Sequence, residues 1–135
     1  MSYNAYRRSN GPNDNVPTPA SLYEELNAEF HFDFDPNPIN PEGSRDQDGL
    51  GKWGKRNFCN PPYSKKEPWI AKAIREKERG NLTVMLLPVD TSTKWFHELI
   101  LPNAEVRWIR GRVRFTDQPA PFASMVCIFR PEASP

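Results

Sequence analysis

Between Gly80-Asn81 and Asp90 the chain reads Leu-Thr-Val-Met-Leu-Leu-Pro-Val, residues 82–89, with no charged side chain. A strand with one wet face alternates apolar and polar residues, and this stretch does not. It predicts a strand covered on both faces, as in a parallel sheet sandwiched between helices. The flanks agree. Pro68 opens a helix whose Trp69, Ile70, Ala73 and Ile74 share one face, and Gly80 ends it. Phe58-Cys59 ends a second buried strand just before that helix. Beyond Asp90, Thr91 or Ser92 is placed to cap a further helix carrying Trp95, Phe96, Leu99 and Ile100.

Upstream, Thr18-Pro19 fits an N-cap followed by proline at the first helical position, and Leu22, Tyr23 and Leu26 give a short amphipathic helix. Phe30 to Asp35 alternates strictly. It predicts a strand with Phe30, Phe32 and Phe34 on one face and His31, Asp33 and Asp35 on the other. Residues 36–56 carry no periodic signal, which in a small domain marks a functional or disordered loop. Residues 105–115 and 122–129 predict two long closing strands joined by a proline-rich loop. The apolar parity changes near Gly111, so a bulge or turn is expected there.

This order defines an α/β fold: a mostly parallel sheet, helices on both faces, and an antiparallel C-terminal strand pair at one edge. Residues 1–15 are polar and aperiodic and are expected to be a disordered arm. The folded domain is expected over 16–131, with a tail at 132–135.

The formal charge is only +1, so nucleic-acid contacts would have to come from local patches. Cys59 and Cys127 sit among apolar neighbours and read as buried, reduced thiols, neither a disulfide nor a zinc set. His31 and His97 lack any spacing for metal or triad work and are expected to be structural. No stretch is long enough to span a bilayer, so a soluble cytoplasmic protein is the expectation. Core packing is expected for Trp69, Trp95 and Trp108, whereas Trp53 could line a site.

The chemistry concentrates in Asn57–Trp69, "NFCNPPYSKKEPW". The chain holds 15 prolines, so one Pro-Pro pair is expected by composition and its flanks must carry the case. Asn60-Pro61-Pro62-Tyr63 falls between a buried strand and a helix, at a strand's carboxyl end, where ligands bind in such sheets. Prolines hold carbonyls still and remove donors that would otherwise satisfy them. The Asn60 side-chain oxygen and the Pro61 carbonyl can then both accept from one amino group. An amine gripped twice is drawn out of its ring plane, freeing the lone pair for an electrophilic methyl. Tyr63 offers a stacking face, and such a pocket would receive a base extruded from a duplex. A rigid turn is the plainer reading of the same four residues.

These residues, taken in order, resemble the phage DNA N6-adenine methyltransferase family, short Dam-like enzymes that use S-adenosylmethionine (AdoMet). The likeness runs through Thr18-Pro19, "FDFDP", "DGL" with Trp53, "CNPPYS", Trp69, "LLP", Thr91, Thr93, Trp95-Phe96 and "GRVRF", about residues 16–131. It implies a reduced Rossmann-like methyltransferase domain, with AdoMet as donor and a flipped adenine of duplex DNA held by Asn60, Pro61, Pro62 and Tyr63. It also implies no metal and no membrane. Asp33 and Asp35 fall where the cofactor motif lies, with Asp48 a second candidate for an adenosine contact and Pro19 also counted among the cofactor-binding residues. No Gly-x-Gly follows the first strand, a departure from the wider superfamily.

For DNA, Lys65 and Lys66 follow the loop, Lys55 and Arg56 precede it, and Arg112 and Arg114 belong to an arginine-rich stretch starting at Arg107. Solvated edge-strand charge is the alternative for the last pair. Two other functions fit the pattern: a non-catalytic nucleic-acid-binding module of this fold, or methylation of RNA adenine or protein glutamine.

Overall fold

The computed structural model describes residues 18–37, 50–111, 113 and 122–132. The N-terminal arm, Asp48, Arg112 and Arg114 therefore lie outside the described residues, as do positions 133–135 of the tail.

In chain order the elements are helix α1 (Ala20–Phe30), strand β1 (Arg56–Cys59), a 3₁₀ turn (Tyr63–Lys65) and helix α2 (Lys66–Glu78). Strand β2 (Leu82–Pro88), a π-helical turn (Phe96–Ile100) and strands β3 (Glu105–Trp108) and β4 (Ser124–Phe129) follow. The sheet order is β1-β2-β4-β3. β1 and β2 run parallel, with Phe58 beside Val84 and Cys59 beside Met85. β4 is antiparallel to both its neighbours, β2 and β3.

The sheet is therefore mixed, and the expectation of a mostly parallel one is corrected. The reason lies in β4, which runs antiparallel to both β2 and β3 and so interrupts the parallel set formed by β1, β2 and β3. The predicted antiparallel pairing of these two strands is present. β4, however, lies inside the sheet, buried along its whole length, and β3 forms the edge. Because β4 opposes both neighbours, β1, β2 and β3 all point the same way, and their carboxyl ends share one edge.

Helices cover both faces. On one, Leu26 and Phe30 of α1 pack with Phe58, Val84, Leu86, Val126 and Ile128. On the other, Trp69, Ile70 and Ala73 of α2, with Phe96 and Ile100 of the π turn, pack with Cys59, Met85, Leu87, Cys127 and Phe129. All seven residues of β2 are buried, as its unbroken apolar sequence requires. Cys59 and Cys127 are free and buried. Burial pushes the Cys127 thiol up to about 12, so it stays protonated.

Four local expectations change. Phe30 ends α1 instead of starting a strand, and His31 follows at φ 54 with its N–H on the Asn27 carbonyl (2.8 Å). The Asn27 side chain then takes the Phe32 N–H (2.8 Å). Of the alternating segment, only Phe34 makes a bridge, parallel to Asn57. Arg56's carbonyl accepts from both Asp33 (2.8 Å) and Phe34 (3.3 Å), an irregularity that flips the side-chain parity. Phe32 consequently stacks toward α1, 5.3 Å from Phe58, while Phe34 packs on the opposite core.

Second, neither Thr91 nor Ser92 caps a helix. Ser92 Oγ donates to the Asp90 carboxylate (2.9 Å) and Thr93 Oγ1 to its carbonyl (2.7 Å), and a shorter π-helical segment results. Third, β3 stops at Trp108, because Gly111 at φ 77 turns the chain. Fourth, the tryptophans exchange roles: Trp53 is in the core, whereas Trp108 is 61% exposed.

Truncating Leu86, fully buried at the centre of β2, leaves a cavity with little room to collapse. Leu86→Ala is expected to cost about 2–5 kcal/mol, read as a lowered midpoint in urea unfolding at unchanged slope.

Candidate active site at the carboxyl edge of the sheet

Asn57 sets the position of everything downstream. Its amide is fully buried and fully used: Oδ1 accepts from Gly54 N (2.8 Å), and Nδ2 donates to the carbonyls of Gly54 and Leu82 (3.0 Å each). That clasp fixes the start of β1 against β2. A Cβ on Gly54 would lie 2.4 Å from Asp33 Oδ1, which can swing away, but also 2.9 Å from the Phe34 Cβ, which its bridge to Asn57 holds in place, so glycine suits the position. Three residues beyond Asn57, Asn60 emerges at the carboxyl edge.

Asn60 and Pro61 are buried, and Pro62 is half-buried and extended (φ −65, ψ 116). Pro62's carbonyl accepts from Lys65 N (3.0 Å), closing the 3₁₀ turn that carries Tyr63 into α2. No described residue donates to the Pro61 carbonyl. Tyr63 is 4% exposed, and its ring meets Phe122 edge-on at 6.0 Å. Neither ring belongs to the two core clusters of described residues. They form a separate aromatic pair at the sheet edge.

A second loop meets this one. Because Phe34 pairs with Asn57 in parallel, the next residues climb to the same edge. Asp35 accepts the Asn37 N–H (2.9 Å), a turn in which an aspartate bonds the backbone two residues on. Asn37, 2% exposed, sends its Nδ2 to the Asn60 carbonyl (2.7 Å). The main-chain oxygen of Asn60 is thus occupied by a neighbouring loop, which holds that peptide still. Asp35 is half-buried beside Tyr23 of α1, whose own ionisation is pushed up by burial and then by this carboxylate. Burial raises the Asp35 carboxyl to about 6, partly offset by the Asn37 N–H.

The other sequence candidates are scattered. Asp33 is exposed and spends Oδ1 on the Arg56 N–H (3.1 Å), toward the amino side of the bridge. Pro19 occupies the N-cap of α1, one residue later than expected, and its carbonyl accepts from Tyr23 N (3.1 Å). Lys65 is exposed next to the loop. Lys66 braces it instead, with Nζ on the Tyr63 carbonyl (3.3 Å) and over the Trp95 ring (4.8 Å). Lys55 and Arg56 lie at the amino end of β1, where they line a pocket with Arg79 and Arg130. Four residue steps of extended chain carry Arg56 to Asn60, roughly 13 Å, and Lys55 lies one step further.

Sequence reasoning missed Asn37 and Phe122. The run Asp35-Pro36-Asn37 carried a turn signal, but nothing in it told which carbonyl the Asn37 amide would reach. Among the described residues no group of acids, histidines or cysteines could hold a metal, and no helix is long and apolar enough to cross a membrane.

Fold and loop together define an α/β protein whose ligand edge carries a rigid Asn-Pro-Pro-Tyr elbow. The chain belongs to the DNA N-6-adenine-methyltransferase (Dam) family, whose model matches residues 8–125. It is 46% identical over 61 residues to a DNA N-6-adenine-methyltransferase of Escherichia phage T1, covering 44% of this chain and 26% of that protein. With the enzyme of the same name from Haemophilus phage HP1 it shares 37% over 90 residues, 59% of this chain and 51% of that one. The chain thus spans about a quarter and about half of these relatives. No solved structure gives a significant match.

Two outcomes follow from this geometry. The folded chain holds the Asp35 proton more tightly than the unfolded chain. Asp35 therefore costs stability above about pH 6, and the cost fades as pH falls toward 3.8. Asp35→Asn is expected to raise stability at pH 7 by on the order of 2 kcal/mol, with the gain vanishing near pH 4 in paired melts. Asn37→Ala removes the donor from a buried carbonyl and should cost about 1–3 kcal/mol in chemical unfolding.

Proposed function

We propose that this chain is an AdoMet-dependent DNA adenine-N6 methyltransferase acting in the cytosol of a bacterial host. Family membership supports the reaction class. The carrying observation is local: the Asn60–Tyr63 elbow leaves a buried strand at the ligand edge, and no described residue donates to its Pro61 carbonyl. We read the sheet as a reduced Rossmann-like one. The parallel β1–α2–β2 crossover and the helices on both faces support that reading.

In this reading the Asn60 side-chain oxygen and the Pro61 carbonyl accept the two N–H groups of the adenine amine. Asn37 keeps the Asn60 peptide from rotating, and Pro61 and Pro62 keep the two acceptors at fixed separation. The amine nitrogen is drawn toward a tetrahedral shape and its lone pair points out of the ring plane. AdoMet, when bound, supplies the electrophilic methyl carbon. The methylated amine sheds its proton to water, so no general base is needed. Tyr63 borders the base; its edge-on contact with Phe122 fixes the ring's attitude.

The described residues fit a cationic donor. Asp35 is a half-buried carboxylate one hydrogen-bonded residue, Asn37, away from the Asn60 loop. Its burial cost would be relieved by a positive charge placed beside it. Asp33 points to no shared role with it, and Asp48 remains part of the proposal on sequence grounds alone.

DNA from cells expressing the parent is expected to resist nucleases blocked by adenine methylation. Asn60→Ala should leave DNA fully cleavable while still binding AdoMet in calorimetry. Protection by both proteins would remove the elbow from the mechanism. An absence of AdoMet heat with the parent would favour a non-catalytic nucleic-acid binder.

A further inference from the structure

We propose that Trp108, with Arg110, is a DNA contact in which the indole stacks on a base unpaired by extrusion of the target. The inference rests on the methyltransferase reading and adds a residue to its substrate surface. A single exposed apolar residue is ordinary. What distinguishes Trp108 is where the topology delivers it.

β3 runs in the same sense as β1 and β2, so its last residue comes out at the same edge as Asn60. Two strands, β2 and β4, intervene between β1 and β3. Three spacings of about 4.8 Å put Trp108 roughly 14 Å from the end of β1. That separation is close to the major-groove width of about 12 Å, within one duplex footprint. Phe96 approaches the indole at 6.4 Å with planes inclined 33°, and 61% of the residue still faces water.

The chain then leads back to the elbow. Arg110 is exposed, Gly111 turns the backbone, and Val113 and Phe122 are buried, the latter against Tyr63. Trp108 therefore stands at the mouth of the connection whose far end touches the candidate site.

Charge favours nucleic acid over protein as the occupant. Residues 107–114 hold four arginines and no acid. Arg107 is already bound to Glu29 through two 2.7 Å contacts. Arg110 meets no carboxylate among the described residues. Among the described residues the other exposed large apolar side chains are Leu50 and Leu101, and Leu101 precedes β3 and so lies toward its opposite end. An exposed aromatic face two residues from a guanidinium that meets no carboxylate among the described residues suits a base and its phosphate. Extruding adenine leaves an orphan partner base whose stacking face is open.

The other three tryptophans are buried, so iodide quenching reports chiefly on Trp108. The 135-residue chain should be titrated with a labelled duplex in which an abasic site replaces the target adenine, leaving its partner base unpaired, and with a fully paired duplex of equal length. DNA is expected to shield the iodide-accessible fluorescence. Trp108→Ala should weaken binding of the abasic-site duplex roughly 5- to 150-fold, with Trp108→Phe close to the parent and AdoMet affinity unchanged in both. Equal affinity of Trp108→Ala and parent, or unchanged iodide access in the complex, overturns the contact. So does a free protein that sediments as a dimer with Trp108 already shielded, which would make the surface an interface between copies. Failure of AdoMet binding by the parent sinks the methyltransferase reading separately, because the stacking contact is read on DNA alone.

Discussion

The buried amide of Asn57 is the constraint on which the rest of the site depends. A carboxamide in a fully buried position has two donors and an acceptor to satisfy, and each unpaired group costs on the order of 1–3 kcal/mol. Here all are met by the Gly54 turn and the Leu82 carbonyl. Such a group has one acceptable position, so it fixes the register of β1 on β2. A one-residue slip would carry Phe58 and Cys59 to the wrong cores and send Asn60 out of the edge. Specificity of register is thus enforced by polar satisfaction at the strand's start and by apolar burial along it.

At the strand's other end the logic reverses. Prolines at 61 and 62 remove two backbone donors, and among the described residues none donates to the Pro61 carbonyl, which the proposed function assigns to a ligand. Asn37 completes the arrangement by claiming the one carbonyl that would otherwise compete, that of Asn60 itself. The elbow is stiff through both covalent restriction and a hydrogen bond from a loop 23 residues earlier. Lys66 adds a third brace by bonding the Tyr63 carbonyl while resting on Trp95.

Where the sequence carried a strong period or a covalent restriction, it was legible. The unbroken run at 82–89 gave a fully buried strand, Gly80 closed α2, and Gly111 turned the chain. Family likeness was legible because it rests on side-chain identities in order. Legibility failed where tertiary contacts outbid local pattern. Phe30 to Asp35 alternates like a strand, yet the Asn27 side chain holds the helix end there and a parity flip sends Phe32 and Phe34 to different cores. Sheet composition misled as well. An apolar run announces burial on two faces but not the direction of the neighbour, and β4 reaches the same burial antiparallel. Trp53 and Trp108 could not be told apart by type, because position within the sheet decides exposure.

Asp35 illustrates how such an edge trades stability for binding. Left in water its carboxyl would ionise near 3.8; burial beside α1 raises it to about 6. At neutral pH the fold therefore carries a charge it would be more stable without. A fold under selection for stability alone would replace it with a neutral isostere that keeps the Asn37 turn. A site that must hold a cation has reason to keep it, because the energy spent on desolvating the carboxylate is recovered when the positive charge arrives. The same hydrogen-bonded pair of residues that bears this cost, Asp35 and Asn37, also pins the Asn60 peptide. A ligand that draws on the Asp35 charge would tighten the Asn37 turn and, through it, the Asn60 peptide. Under the proposed function, donor binding and base capture would be linked through one buried asparagine, Asn37.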